Sequence, residues 1–379
     1  MKRKLLSIVI VTFACLFITG CWDRHEIEEA AWVTALGFDF EEGEEPFHVH
    51  QTVALTKLLA AGDQTGDGEE EAFFVISDEA ESVQKAVYGA TEFLAREPKY
   101  GHVSNLIVGE ELLREKGITP IISYAVRNHV IRPFVWISVG SPSALSVMDH
   151  PTGLEDIPSQ AYLGLMDHAE ESGVGFAVNL LEASKRFLND KRDLVLPMMI
   201  YKDGQIHIEG LAVFHEDKMV DVLKEKDGRG LSWALERADG IISVLSKDEQ
   251  MVTVNFRDVN SNITVETVEE DNLEINLEIE MTGDITDLHK QNARTILSLK
   301  KEDISEVTKD VEDEAKAIIE NSLTKVQKAQ SDVLGIAEMI EDDFPEKWEE
   351  MKDKWGEEYS ALPISVEVNV DLKRSKRIK

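Results

Sequence analysis

Apolar and polar positions alternate most clearly in the last third of the chain. In "MVTVNFR", Val252, Val254 and Phe256 alternate with Thr253, Asn255 and Arg257; in "NLEINLEIEM", Leu273, Ile275, Leu277 and Ile279 alternate with Glu274, Asn276, Glu278 and Glu280. "PISVEVNVDL" repeats the pattern with Ile364, Val366, Val368, Val370 and Leu372. A period of two gives each strand one wet and one dry face, which predicts a largely antiparallel sheet. Between these strands Ile304, Val307, Val311, Ala315, Ile318, Ile319, Leu323 and Val326 recur at spacings of three and four, behind a capping box from Asp303 to Glu306. That spacing predicts one long amphipathic helix, and helix against sheet is the simplest way to cover both apolar faces.

Earlier segments carry shorter patterns. "EEAAWVTALGFDFEE" and "FHVHQTVAL", separated by a break from Glu41 to Pro46, predict a two-stranded hairpin. Val83, Ala86, Val87, Ala90, Phe93 and Leu94 then take helical spacing, with "SDEAE" from Ser77 read as its cap and the helix ending near Pro98. "HVSNLIVGE", a helical run through "IISYAVRNH", and "RPFVWISVG" alternate strand, helix and strand. Beyond "DHPTG", helical runs at 157–171 and 175–189 lead to a hairpin turned by "KDG", a second turn at "HEDK", and a short helix at "GRGLSWALERA". The expected fold class is therefore α+β in three mixed domains: 21–152 of α/β type, 153–240 mixed, and 241–379 built from the sheet and long helix.

Residues 1–20 belong to none of these. Lys2, Arg3 and Lys4 precede an apolar run from Leu5 to Ile18. Roughly fourteen apolar residues are too few to span a bilayer and typical of an export signal. Ile18-Thr19-Gly20-Cys21 closes the run with small residues and a cysteine, resembling the lipobox of bacterial lipoproteins, which implies diacylglycerol on the Cys21 sulfur and cleavage just before it. Cys15 and Cys21 are the two cysteines of the chain, so the mature protein would keep no thiol and no disulfide. Trp22 follows, where an indole either favours the membrane interface or begins the packing of the first domain; Trp22, Asp23 and Arg24 are candidates for membrane or partner contact.

The formal net charge of −33 argues against nucleic acid as a partner, because phosphate binding needs clustered Lys and Arg. A local exception is the basic end from Lys373 to Lys379, read as a solvated terminus before a lipid contact. No G-x-S-x-G elbow, phosphate-cradling glycine loop or H-E-x-x-H occurs. His48 and His50 share a strand face without a third ligand nearby, so an ordinary partly buried pair is the expectation. Asp63, Thr65, Asp67 and Gly68 imitate the first positions of a calcium loop, but Phe74 stands where its bidentate Glu belongs. No catalytic residue, metal ligand set or cofactor is therefore assigned. Phe344, Trp348, Met351 and Trp355 fall near one helix face and are expected to pack into the last domain.

Two stretches resemble a known family. "GCWDRHEIEEAAWVTALGFD", through Cys21, Trp22, Asp23, Arg24, Glu26, Ile27, Gly37 and Asp39, is similar to the start of the Ger(x)C lipoproteins, the C subunits of spore germination receptors. "QSDVLGIAEMIEDDFPEKWEEMKDKW", through Gln330, Asp332, Leu334, Gly335, Ile336, Trp348 and Trp355, is similar to that family's C-terminal signature. The two bracket nearly the whole mature chain. Ala337 in place of a glycine, the inserted His25 and the acidic loop from Gly62 to Glu71 depart from the pattern. The resemblance implies a three-domain α+β lipoprotein on the outer face of the spore inner membrane. It implies a non-enzymatic protein that acts with integral-membrane subunits A and B in a nutrient receptor. A solute-binding lipoprotein of a transporter is the alternative, and it would show two similar α/β lobes around a cleft.

Overall fold

The structure, a computed structural model, describes residues 30–55, 72–152, 155–246, 250–268, 272–290 and 301–374. Cys21, Trp22, Asp23, Arg24, most of the calcium-like loop, the Asp303 side chain of the expected capping box and the end of the basic tail lie outside the described residues.

A nine-stranded sheet comes first, in the order β3-β2-β1-β5-β6-β7-β8-β9 with β4 beside the start of β1. The expected hairpin is present as β1 (Ala30–Phe40) and β2 (Phe47–Ala54), paired antiparallel. Contrary to the sequence reading, the first four residues of "SDEAE", Ser77 to Ala80, end strand β3 (Phe73–Ala80), and the helix α1 (Val83–Phe93) starts later, capped by Ser82. As the last strand of the path, β3 pairs with β2 and is partly or fully exposed from Phe74 to Glu79, so polar residues there do not stop the strand.

After α1, β4 (Glu97–Lys99) and β5 (Asn105–Gly109) lie parallel to β1. Helices α2 (Glu110–Glu115) and α3 (Thr119–Arg127) lead to β6 (Trp136–Ser141), parallel to β5. Four helices follow: α4 (Ala144–Met148), α5 (Pro158–Asp167), α6 (Ala169–Ser172) and α7 (Leu180–Leu188). The next strand, β7 (Val195–Lys202), is parallel to β6, and β8 (Gln205–His215) and β9 (Lys218–Lys224) extend the sheet antiparallel.

The limit drawn at 152 therefore falls inside a crossover. Strands of the expected middle domain hydrogen-bond onto the first, because the helices after β6 return the chain to the same edge, as parallel pairing requires. The "KDG" turn is as expected: Asp203 and Gly204 both have positive φ, 53° and 81°, the requirement of the tight turn that matches strand twist.

Helix α8 (Glu225–Ala234) leads to a four-stranded sheet of β10 (Gly240–Leu245), β11 (Gln250–Thr267), β12 (Leu273–Lys290) and β13 (Ile364–Arg374). The first two pairings are antiparallel and β12–β13 is parallel, because a helical crossover separates the last two strands. Its dry face buries Val252, Val254, Phe256, Ile275, Leu277 and Ile279, the alternating set read from the sequence.

The long helix is α9 (Lys301–Lys328), and it buries Val307, Val311, Ala315, Ile319 and Leu323. It is pressed between β13 and α8. The approach to α8 is set by Gly230, where a Cβ would stand 2.2 Å from Ser322 Oγ and 2.6 Å from the Ile318 carbonyl oxygen. Gly230→Val should therefore separate the two helices and cost about 1–3 kcal/mol of overpacking, read as a lowered urea midpoint. An unchanged midpoint would show that the contact yields freely.

Candidate functional site

The turn after α9 is the most densely bonded part of the molecule that carries family residues. Gln330 takes a left-handed φ of 57°, and Gly335 one of 79°, a conformation that glycine adopts without strain. Between them Asp332 is 2% exposed. Its Oδ1 accepts the backbone N–H of Gly335 and of Ile336, both at 2.9 Å, and its Oδ2 accepts that of Ala337 at 2.8 Å. These are orphan donors at the start of α10 (Ile336–Asp343), so the carboxylate caps that helix and is favoured by its positive end. The indole N–H of Trp355 donates to Oδ2 at 3.2 Å. Trp355 opens α12 (Trp355–Ala361), after α11 (Pro345–Met351), and its ring meets that of Trp348 edge-on at 5.3 Å.

The same turn ties the C-terminal helices to the first sheet. The backbone of Asp332 exchanges two bonds with Asp193: its N–H donates to Asp193 Oδ2 at 2.7 Å, and its carbonyl accepts the Asp193 N–H at 3.0 Å. Asp193 Oδ1 accepts the Glu216 N–H at 2.8 Å, and Ser331 Oγ donates to the Phe214 carbonyl. Arg192 Nε donates to the Val333 carbonyl at 3.3 Å, and Lys191 pairs with Glu341 at 2.5 Å. A loop before β7, the β8–β9 turn and the C-terminal helices thus form one knot.

Beside it lies a cleft of about 620 Å³ whose lining includes Asp193, His215, Lys352, Lys354 and Trp355. Burial pushes the Asp332 carboxyl up to about 6, against the opposing pull of the N–H donors and with the Asp193 charge adding to the rise. At neutral pH it is ionised with all its acceptor positions used. The Asp193 carboxylate, 3.7 Å from His215 Nδ1, raises the imidazole above its ordinary value; that separation is an ion pair, too long for a hydrogen bond. Tyr359 is fully buried, and burial, with the charges of Asp332 and Asp193, keeps its hydroxyl protonated.

A raised histidine pKa contributes stability that is fully present below the unfolded value and is lost as pH rises through the folded one. Stability from this group should therefore be full below the ordinary imidazole value of 6.5 and fall as pH rises above it, and His215→Gln should flatten that fall in thermal melts. An identical slope in the variant would remove His215 from the account.

A second cluster surrounds the other family stretch. Asp39 accepts the N–H of Ala144 at 2.8 Å and of Leu145 at 3.0 Å, securing α4 against β1. Gly37 lets α4 approach β1 closely, since a Cβ there would lie 2.3 Å from Met148 Sδ and 3.1 Å from Ala144 Cβ. His50, which is buried, reaches Asp39 Oδ2 at 3.1 Å through Nε2 and Ser77 Oγ at 2.7 Å through Nδ1. This Ser–His–Asp chain has the membership of a hydrolase triad, but its carboxylate is committed to a helix start and its role is to buttress. His48 faces Glu79 at 3.6 Å, so the two histidines have separate partners. Among the described residues no three His, Cys, Asp or Glu are grouped to hold a metal ion, and no helix is long and apolar enough to cross a membrane.

The sequence reading did not find Asp193, His215 or Tyr359 as neighbours of Asp332, since no local signal links positions 139 apart. It did single out Asp332, Gly335, Trp348 and Trp355, which the structure brings together.

Comparison with known proteins divides the chain between β7 and β8, inside the nine-stranded sheet. Residues 23–201 match the family described as spore germination protein N-terminal domain, and residues 209–376 match spore germination B3/GerAC like, C-terminal. Spore germination protein KC of Bacillus subtilis (strain 168) is 23% identical over 99% of this chain and 97% of its own. Spore germination protein GerQC of Bacillus cereus is 21% identical over 99% of both. The crystal structure of the GerBC protein superposes with a TM-score of 0.58 at 14% identity, covering 92% of this chain and 99% of that one, which shows a shared α+β fold. With its two parts matched in order by the two models, the chain belongs to the GerAC-like, or Ger(x)C, family of spore germination proteins.

Proposed function

We propose that the protein is the lipid-anchored C subunit of a nutrient germinant receptor, a non-catalytic component that acts with integral-membrane A and B subunits to trigger spore germination. The observation that carries this reading is the ordered match of both family models, behind a basic, apolar and small-residue leader ending at Cys21. Diacylglycerol on Cys21 would hold the body on the outer face of the spore inner membrane, and confinement to that plane raises its effective concentration for membrane partners. The Asp332 knot fastens the C-terminal helices to the first sheet in the body presented to those partners. A transporter's binding protein is disfavoured because the two sheets differ in size and topology and do not form two similar lobes.

Affinity purification of the tagged full-length chain from detergent-solubilised spore membranes tests the reading. The expected result is co-purification of two polytopic subunits in constant ratio; recovery of the chain alone under conditions that preserve other membrane complexes would contradict it.

A further inference from the structure

We propose that the edge of the first sheet where β1 begins docks on an anionic phospholipid surface. This proposal rests on the reading of Cys21 as the lipid-bearing N-terminus.

Strands β1, β5 and β6 are parallel and adjacent, so the segments that precede them share one edge. The described fold starts there, at Ala30. The loop from α3 to β6 lies at the same edge, because Trp136 is in register with Asn105 and Asn105 with Ala35. The end of α1 lies there too, since Glu97 pairs with Ala30. Neighbouring strands are about 4.8 Å apart, which places the α3–β6 loop roughly 10 Å sideways from β1. Nine residues from Cys21 to Ala30 reach at most about 30 Å. A membrane holding Cys21 is therefore within reach of this edge.

The edge has the chemistry for that neighbour. Between Glu115 and Asp149 the chain carries no acidic residue, although Asp and Glu number 73 of 379. Within this span Val126 is 56% exposed, Val130 52% and Phe134 72%, and Phe93 at the end of α1 is 65% exposed. Interleaved with them are Arg127, His129 and Arg132, all exposed. Neither arginine is ion-paired to another described residue. Exposed apolar side chains between unpaired cations match a surface of acyl chains beneath anionic headgroups. Glu92 and Glu97 are exposed at the α1 side of this edge, but the acid-free span around the α3–β6 loop is the part a strongly acidic body can turn toward such a surface without repulsion.

The test uses the acylated, full-length mature chain in phosphatidylcholine vesicles with or without phosphatidylglycerol. With Cys15 removed and Cys21 acylated, Val130→Cys supplies a unique thiol for a polarity-sensitive fluorophore. Gln205→Cys supplies the control at the opposite end of the strands. The expected result is co-flotation, with a blue shift and quenching by lipid-borne nitroxide at position 130 only. Phosphatidylglycerol should enhance the effect, and Arg127→Glu with Arg132→Glu should abolish it without preventing flotation. Flotation with position 130 as wet as position 205 would overturn the docking surface and leave the anchor standing. Shielding of position 130 only after membrane subunits are added would assign the edge to a protein and overturn the proposal. A folded chain that does not float would overturn the anchor, and the proposal with it.

Discussion

Asp332→Ala should destabilise the protein by about 3–5 kcal/mol, a large fraction of a typical domain's stability. The substitution strands the N–H groups of Gly335, Ile336 and Ala337 and the indole N–H of Trp355, all of which now donate to one carboxylate. Each buried donor left without an acceptor costs roughly 1–3 kcal/mol, and relaxation of the turn recovers part of the total. Asp332→Asn should cost less than Ala, since one oxygen keeps its two donors while the new NH2 group faces the other two N–H groups.

The pH dependence has a definite sign. Burial raises the folded-state value to about 6 from an ordinary value of 3.8, so the folded state holds the proton more tightly. Stability from this group is then greatest below 3.8 and declines as pH rises to about 6, and above that it is constant. Asparagine should abolish that decline. Urea titrations of the three proteins at pH 5 and pH 7 check both points, and an alanine variant within about 1 kcal/mol of wild type would show that the capping bonds are individually dispensable.

The second large effect is functional. Cys21→Ala should move the protein from the membrane to the soluble fraction of disrupted spores and blunt the germination response to nutrient. One acyl chain gives only marginal attachment, with an association constant of about 10⁴ M⁻¹, whereas the several chains of a lipoprotein hold nearly permanently. Their loss leaves only weak surface contacts, which a screened, acidic body cannot turn into stable binding. Circular dichroism and the urea midpoint should be unchanged, because no hydrogen bond or packing contact of the described residues rests on the Cys21 side chain. Full membrane retention with a normal nutrient response would separate the cysteine from function.

Legibility of the chain followed locality. Strands β11, β12 and β13 and helix α9 were readable because each buries a face set by a strict period, as with Val252, Val254 and Phe256. The turn at Asp203-Gly204 was readable because the backbone there selects its residues. Strand β3 was not, since Ser77, Asp78 and Glu79 belong equally to a wet strand face and to a helix start. The continuity of the nine-stranded sheet through β6 and β7 was also hidden, because pairing across a crossover of about fifty residues leaves no local mark. Asp332, Gly335 and Trp355 were recognised as family residues, yet their common purpose, a capped helix that fastens the α9–α10 turn to Asp193, appears only in three dimensions. The basic edge near Arg132 was masked by the overall acidity.

The central claim is that a body without reactive machinery works by being fastened beside a membrane. Intact-mass and N-terminal peptide analysis of protein extracted from native spores tests it most directly. The account predicts a chain that starts at Cys21 and carries thioether-linked diacylglycerol; a retained leader, a different first residue or a bare thiol at Cys21 would contradict it.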